Sequence, residues 1–121
     1  MKYPSTILAL AGLGCMLAVQ PAFAHAHLKA ATPADKAIVS GSPVSLSLDF
    51  TEDLNLAFSD VDIIGASGDQ VPHGKPTLDG GATLSVPVAP ALAPGSYTVK
   101  WHILATDGHK SEGSYSFTVN P

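Results

Sequence analysis

The stretch Ser96-Tyr97-Thr98-Val99-Lys100-Trp101-His102-Ile103 decides the fold class. Its apolar residues, Tyr97, Val99, Trp101 and Ile103, fall on every second position, with Thr98, Lys100 and His102 between them. Side chains alternate between the two faces of a β-strand, so this period of two describes a strand with one buried face. Working outward, residues 114–119 repeat the pattern with Tyr115, Phe117 and Val119, and Val44-Ser45-Leu46-Ser47-Leu48-Asp49-Phe50 alternates as strictly. Residues 58–64 and 83–88 read as further strands. Turn residues separate them: Gly41-Ser42-Pro43, residues 65–68 and 72–76, Asp79-Gly80-Gly81 and Pro94-Gly95. No long amphipathic helix is legible, and residues 53–58 could form at most a turn or two. Short strands at roughly ten-residue spacing predict an all-β, Ig-like Greek-key sandwich of about seven strands.

The first 24 residues follow a different rule. Lys2 precedes an apolar run from residue 7 to residue 19, and Ala22-Phe23-Ala24 ends it with the small-x-small pattern that signal peptidase cuts. The run is short of the roughly twenty apolar residues a membrane span needs. Cys15 is a poor lipidation site, because Gly12 stands where a lipoprotein signal usually carries Leu. The expected organisation is a signal peptide over 1–24 and a single exported, periplasmic domain over 25–121, with His25 as its first residue. After cleavage there would be no direct membrane insertion.

Composition then narrows the chemistry. Residues 25–121 hold five lysines against ten acids and no arginine, a balance that disfavours nucleic acid and anionic lipid as partners. Cys15 and both methionines, Met1 and Met16, fall in the leader. The exported domain therefore has no disulfide to reinforce a small core, and no thiolate or thioether for Cu(I). Imidazole, amine and carboxylate remain, which suit Cu(II), Ni(II) or Zn(II).

Two places gather such donors. A leading His25 offers its amine and its imidazole as a chelating pair, and Asp107-Gly108-His109 offers a carboxylate and an imidazole two residues apart. Asp-Gly alone is a common turn pair; beside an N-terminal histidine it becomes a candidate metal loop. His27 reads as a further ligand, as a group orienting the site, or as a solvated side chain. His73 reads as exposed in a Pro/Gly-rich loop, His102 as a surface or near-site residue, and Trp101 as core. Two rival modes stay open. The terminal peptide His25-Ala26-His27 could wrap Cu(II) or Ni(II) through its amine, two deprotonated amides and the His27 imidazole. A histidine brace like that of lytic polysaccharide monooxygenases would make the protein a copper-dependent oxidative enzyme, though about a hundred residues leave little room for a flat substrate face. A purely structural Ig-like module would need no defined N-terminus.

His25-Ala26-His27-Leu28-Lys29, Thr32-Pro33-Ala34, Phe50-Thr51-Glu52, Pro94-Gly95-Ser96-Tyr97, Trp101-His102 and Asp107-Gly108-His109-Lys110 together resemble the periplasmic copper-resistance proteins of the CopC family. The resemblance implies a seven-stranded, Ig-like β-barrel or sandwich with one Cu(II) ion at one end. It further implies His25, Asp107 and His109 as ligands, a carrier or buffer role without catalysis, and a CopD-like inner-membrane copper protein as partner. Some members carry a methionine-rich loop for Cu(I). Residues 71–78 here contain His73 but no methionine, so the resemblance extends to a Cu(II) site only.

Overall fold

The computed structural model describes residues 26–121; the leader and His25 lie outside the described residues. Nine strands follow in order: β1 Leu28–Thr32, β2 Ile38–Ser40, β3 Ser45–Phe50, β4 Asp60–Gly65, β5 Gln70–Val71, β6 Thr77–Leu78, β7 Thr83–Pro87, β8 Gly95–Leu104 and β9 Lys110–Asn120. They form two sheets, β1-β3-β7-β6 and β2-β9-β8-β4-β5. Pairing is antiparallel throughout except for β2, which runs parallel to β9. The all-β, two-sheet expectation holds.

The core is the sum of the alternating faces. β3 contributes Leu46, Leu48 and Phe50, and β7 contributes Leu84 and Val86. The other sheet supplies Val61 and Ile63 from β4, Tyr97, Val99, Trp101 and Ile103 from β8, and Tyr115, Phe117 and Val119 from β9. Each buried aliphatic or aromatic side chain stabilises the fold by roughly 1.5–3 kcal/mol relative to exposure, so the sandwich has a continuous core without a disulfide. Trp101 is in that core, as its position on β8 predicts, with its ring edge-on to Phe50 at a centroid distance of 5.1 Å.

Two departures from the sequence reading matter for the site. Phe58 is not the start of a strand: Leu56–Phe58 is a 3-10 turn, the short turn that residues 53–58 allow, because the Asn55 side chain accepts a hydrogen bond from the Ala57 N–H (3.2 Å) and holds the chain in a cap. β4 therefore begins at Asp60 rather than at Phe58. The strands β1, β2, β5 and β6, absent from the sequence reading, are short edge elements whose partners define them. Among the described residues no helix is long and apolar enough to cross a membrane.

Candidate metal centre

β8 and β9 are joined by a tight turn over residues 105–109. The Ala105 N–H donates to the His109 carbonyl (2.9 Å), and the Gly108 N–H donates back to the Ala105 carbonyl (2.9 Å). Gly108 sits at φ +96°, a conformation that L side chains rarely adopt and glycine adopts freely. That backbone choice folds Asp107 and His109 onto each other. The His109 N–H donates to Asp107 Oδ1 (3.0 Å), and His109 Nδ1 lies 3.2 Å from Oδ2. Hydrogen bonding from the His109 N–H, and then from its ring, holds the Asp107 carboxyl below the usual carboxylate range. The carboxylate is thus anionic and the imidazole fixed in direction, both on an exposed tip.

The turn is braced from the segment that follows β3. The Thr106 N–H donates to the Asp53 carbonyl (3.0 Å), the Asn55 N–H donates to the Leu104 carbonyl (2.8 Å), and Leu54 forms a bridge with Ala105.

The start of the described chain arrives at the same end of the sandwich. Ala26 is buried, and its carbonyl accepts a hydrogen bond from the Ser111 hydroxyl (2.8 Å) across a sequence separation of 85 residues. Ser111 is only two residues beyond His109. On its other side the chain is pinned to β3's end: the His27 N–H donates to Thr51 Oγ1 (2.9 Å), and the Thr51 N–H donates to the His27 carbonyl (3.0 Å). β1 then pairs with β3 from Leu28 opposite Phe50. Ser111 and Thr51 carry no metal chemistry themselves. Sequence reasoning missed their role: Thr51 lies in the Phe50-Thr51-Glu52 stretch that carries the family resemblance, but nothing local says that it or Ser111 bonds backbone far away in the chain.

The structure therefore brings Asp107 and His109 into contact and ties Ala26 to Ser111, two residues beyond His109. His25, the third expected ligand, lies outside the described residues. Among the described residues no group of three His, Cys, Asp or Glu side chains gathers closely enough to hold a metal. His102 is exposed on the outer face of β8, between Asp60 on β4 and Glu112 on β9, as the alternation predicts. His73 departs from expectation. Its side chain is only 15% exposed, with Nδ1 2.7 Å from the Gly74 carbonyl and Nε2 2.9 Å from the Val61 carbonyl. It packs the segment between β5 and β6 against β4; both neighbours are acceptors, so a neutral ring donates its one N–H to one of them at a time.

Comparison with known proteins agrees with this fold. The CopC domain family model matches residues 28–120. Protein YobA of Escherichia coli strain K12 is 38% identical over 113 residues, covering 92% of this chain and 91% of the relative. Copper resistance protein C of Xanthomonas campestris pv. juglandis is 34% identical over 111 residues, covering 85% and 86%. Among solved structures, CopC from Methylosinus trichosporium OB3b superposes with a TM-score of 0.75 at 36% identity, covering 80% of this chain and 95% of that one. PcoC, a methionine-rich copper resistance protein from Escherichia coli, gives 0.72 at 26% identity, covering 80% and 100%.

Proposed function

From the premise that the chain belongs to the CopC family, we propose that it is a periplasmic Cu(II) carrier or buffer, not an enzyme, that binds one ion at the meeting of its mature N-terminus and the 105–109 turn. The ligands in this reading are the His25 amine and imidazole, His109 and Asp107. The observation that carries it is the Ser111 hydroxyl holding the Ala26 carbonyl, which ties the residue after His25 to the strand that begins just after His109. With Nδ1 turned to Asp107, His109 would ligate through Nε2. Asp107 would supply anionic oxygen, directly or by strengthening the imidazole. Amine, imidazole and carboxylate suit the oxidised ion in a tetragonal field. The methionine-rich character of PcoC has no counterpart here, since no methionine follows Met16.

The terminal-peptide mode is disfavoured by the same geometry. It requires the Ala26 and His27 amide nitrogens as deprotonated ligands, yet the His27 N–H is already given to Thr51 and Ala26 is buried. Wrapping a metal there would undo the start of β1. Copper handed on from this end would go to a membrane-embedded acceptor of the CopD-like kind.

The test is Cu(II) titration of protein exported and cleaved before His25, with spin-resonance detection of nitrogen ligation. One added residue at the start should abolish the chelate and weaken binding sharply. His109→Ala should cost far more affinity than His27→Ala. Unchanged affinity in the extended protein, or the reverse order of the two histidine variants, would overturn the reading.

A further inference from the structure

Beside the copper end, an open groove of about 1280 Å³ runs between the 3-10 turn, the segment leading into β6, and the paired ends of β8 and β9. Its wall is apolar and uncovered. None of the three residues of the 3-10 turn is buried; Phe58 is 64% exposed and Leu56 37%. These are two of the four large apolar side chains that the described chain leaves exposed, the others being Ile38 and Val44. The rim is charged, with Lys75 and Lys110 set against Asp60 and Glu112.

That balance contrasts with the rest of the surface. Residues 25–121 carry five lysines and ten acids. Two of each sign border the groove, leaving three lysines against eight acids elsewhere. Two copies of an acidic protein repel over most of their surfaces. In this groove equal numbers of opposite charges border exposed apolar side chains. A two-fold interface uses one patch on both copies, so the patch must complement itself in charge and in shape. An apolar ridge beside a groove, with cations and anions on one rim, meets that condition; an external partner would impose no such balance.

We propose that this groove is a self-association surface. Leu56 and Phe58 of each protomer seat in the groove of its partner, and the lysines of one rim face the carboxylates of the other. Its apolar part is two side chains per protomer, Leu56 and Phe58, which places the dimer in the small, transient class, with an expected dissociation constant weaker than about 1 μM. Lys110 and Ser111 belong both to the groove and to the strand start beyond His109, so association would cover one flank of the copper end.

The test is sedimentation velocity of the chain from residue 25 onward, whose described part contains both sheets and the core, from about 10 μM to about 1 mM, bracketing that range. The wild-type protein should shift from monomer towards dimer. Phe58→Asp should stay monomeric throughout while melting with the wild type, since Phe58 is 64% exposed; Leu56→Asp should also stay monomeric, with some loss of Tm because Leu56 is 37% exposed. Lys75→Glu should weaken association at least tenfold by leaving the rim with one sign in excess. A wild-type protein that is monomeric at the top concentration overturns the proposal. So does a dimer that survives both the Phe58 and Leu56 substitutions, because it would use another surface, such as a sheet edge.

Discussion

Replacing Gly113 by alanine tests the packing at the centre of the β8–β9 pair. Gly113 lies directly opposite Trp101. A Cβ there would sit 2.5 Å from Trp101 Cζ2 and 2.9 Å from Cε2. The obstacle is the body of an indole buried to 8% exposure and set edge-on against Phe50, so it cannot swing aside as the end of a flexible chain would. Inserting a methyl group into packed core costs about 1–3 kcal/mol. The backbone at Gly113 is not left-handed, so alanine also recovers up to about 1 kcal/mol of the glycine's conformational cost. The net expectation is a loss of about 1–2 kcal/mol. For a domain of this size each kcal/mol moves Tm by roughly 4–8 °C, giving a fall of about 4–16 °C. Thermal unfolding followed by circular dichroism measures it. Emission from Trp101, the one tryptophan in the sequence, reports whether the indole has shifted. Repeating the substitution in a Trp101→Phe background removes the clashing atoms, so the cost should fall by about 1 kcal/mol. An equal cost in both backgrounds, or a Gly113→Ala protein that melts with the wild type, would refute the reasoning.

Other expectations follow from single contacts. Tyr115 is buried with no hydrogen-bond partner for its hydroxyl among the described residues, and desolvation pushes that hydroxyl above its ordinary range. Tyr115→Phe should raise stability by about 1 kcal/mol by removing an uncompensated polar group; a destabilised variant in denaturant titration would reveal a partner. Ser111→Ala should cost about 0.5–1.5 kcal/mol from the lost Ala26 bond, and should weaken Cu(II) binding although no ligand changes. Equal copper affinity would show that the tether does not set the site. Asp107 has a depressed folded value, so the support it gives its turn is complete above the ordinary carboxylate value of about 3.9. That support is lost as pH falls through the lower folded value. Asp107→Asn, which keeps the size and removes the charge, should lower Cu(II) affinity at pH 7 in metal titrations; unchanged affinity would contradict the place given to Asp107.

The sequence reveals what alternation and turn chemistry encode. Residues 45–50, 96–103 and 114–119 each bury one face against the opposite sheet, so period two is written into them. Leu28-Lys29-Ala30-Ala31-Thr32 has no such signature, since β1 is an edge strand fixed by its ladder to β3. Asp107 and His109 were legible as a pair because Gly108 permits the turn that joins them. Thr51 and Ser111 were not, because a hydroxyl's partner 24 or 85 residues away leaves no local trace. His73 misled for a related reason: Pro and Gly announce a loop, but not whether an imidazole within it turns outward or onto the sheet.

The pinning of the first strand has a consequence for how the protein is made. The Ala26 carbonyl and both backbone groups of His27 are committed, and Lys29 is taken up in a bulge between Leu28 opposite Phe50 and Ala30 opposite Asp49. Sliding β1 by one residue would turn every side chain to the wrong face and break all three of those bonds. The strand therefore works as a ruler whose zero mark is Ala26. If a leader is removed before His25, as the proposed function requires, a cut one residue early or late could not be corrected by a shift in register. The peptidase's choice of bond, made before folding, would then be a covalent quality check on which molecules can take up metal at all.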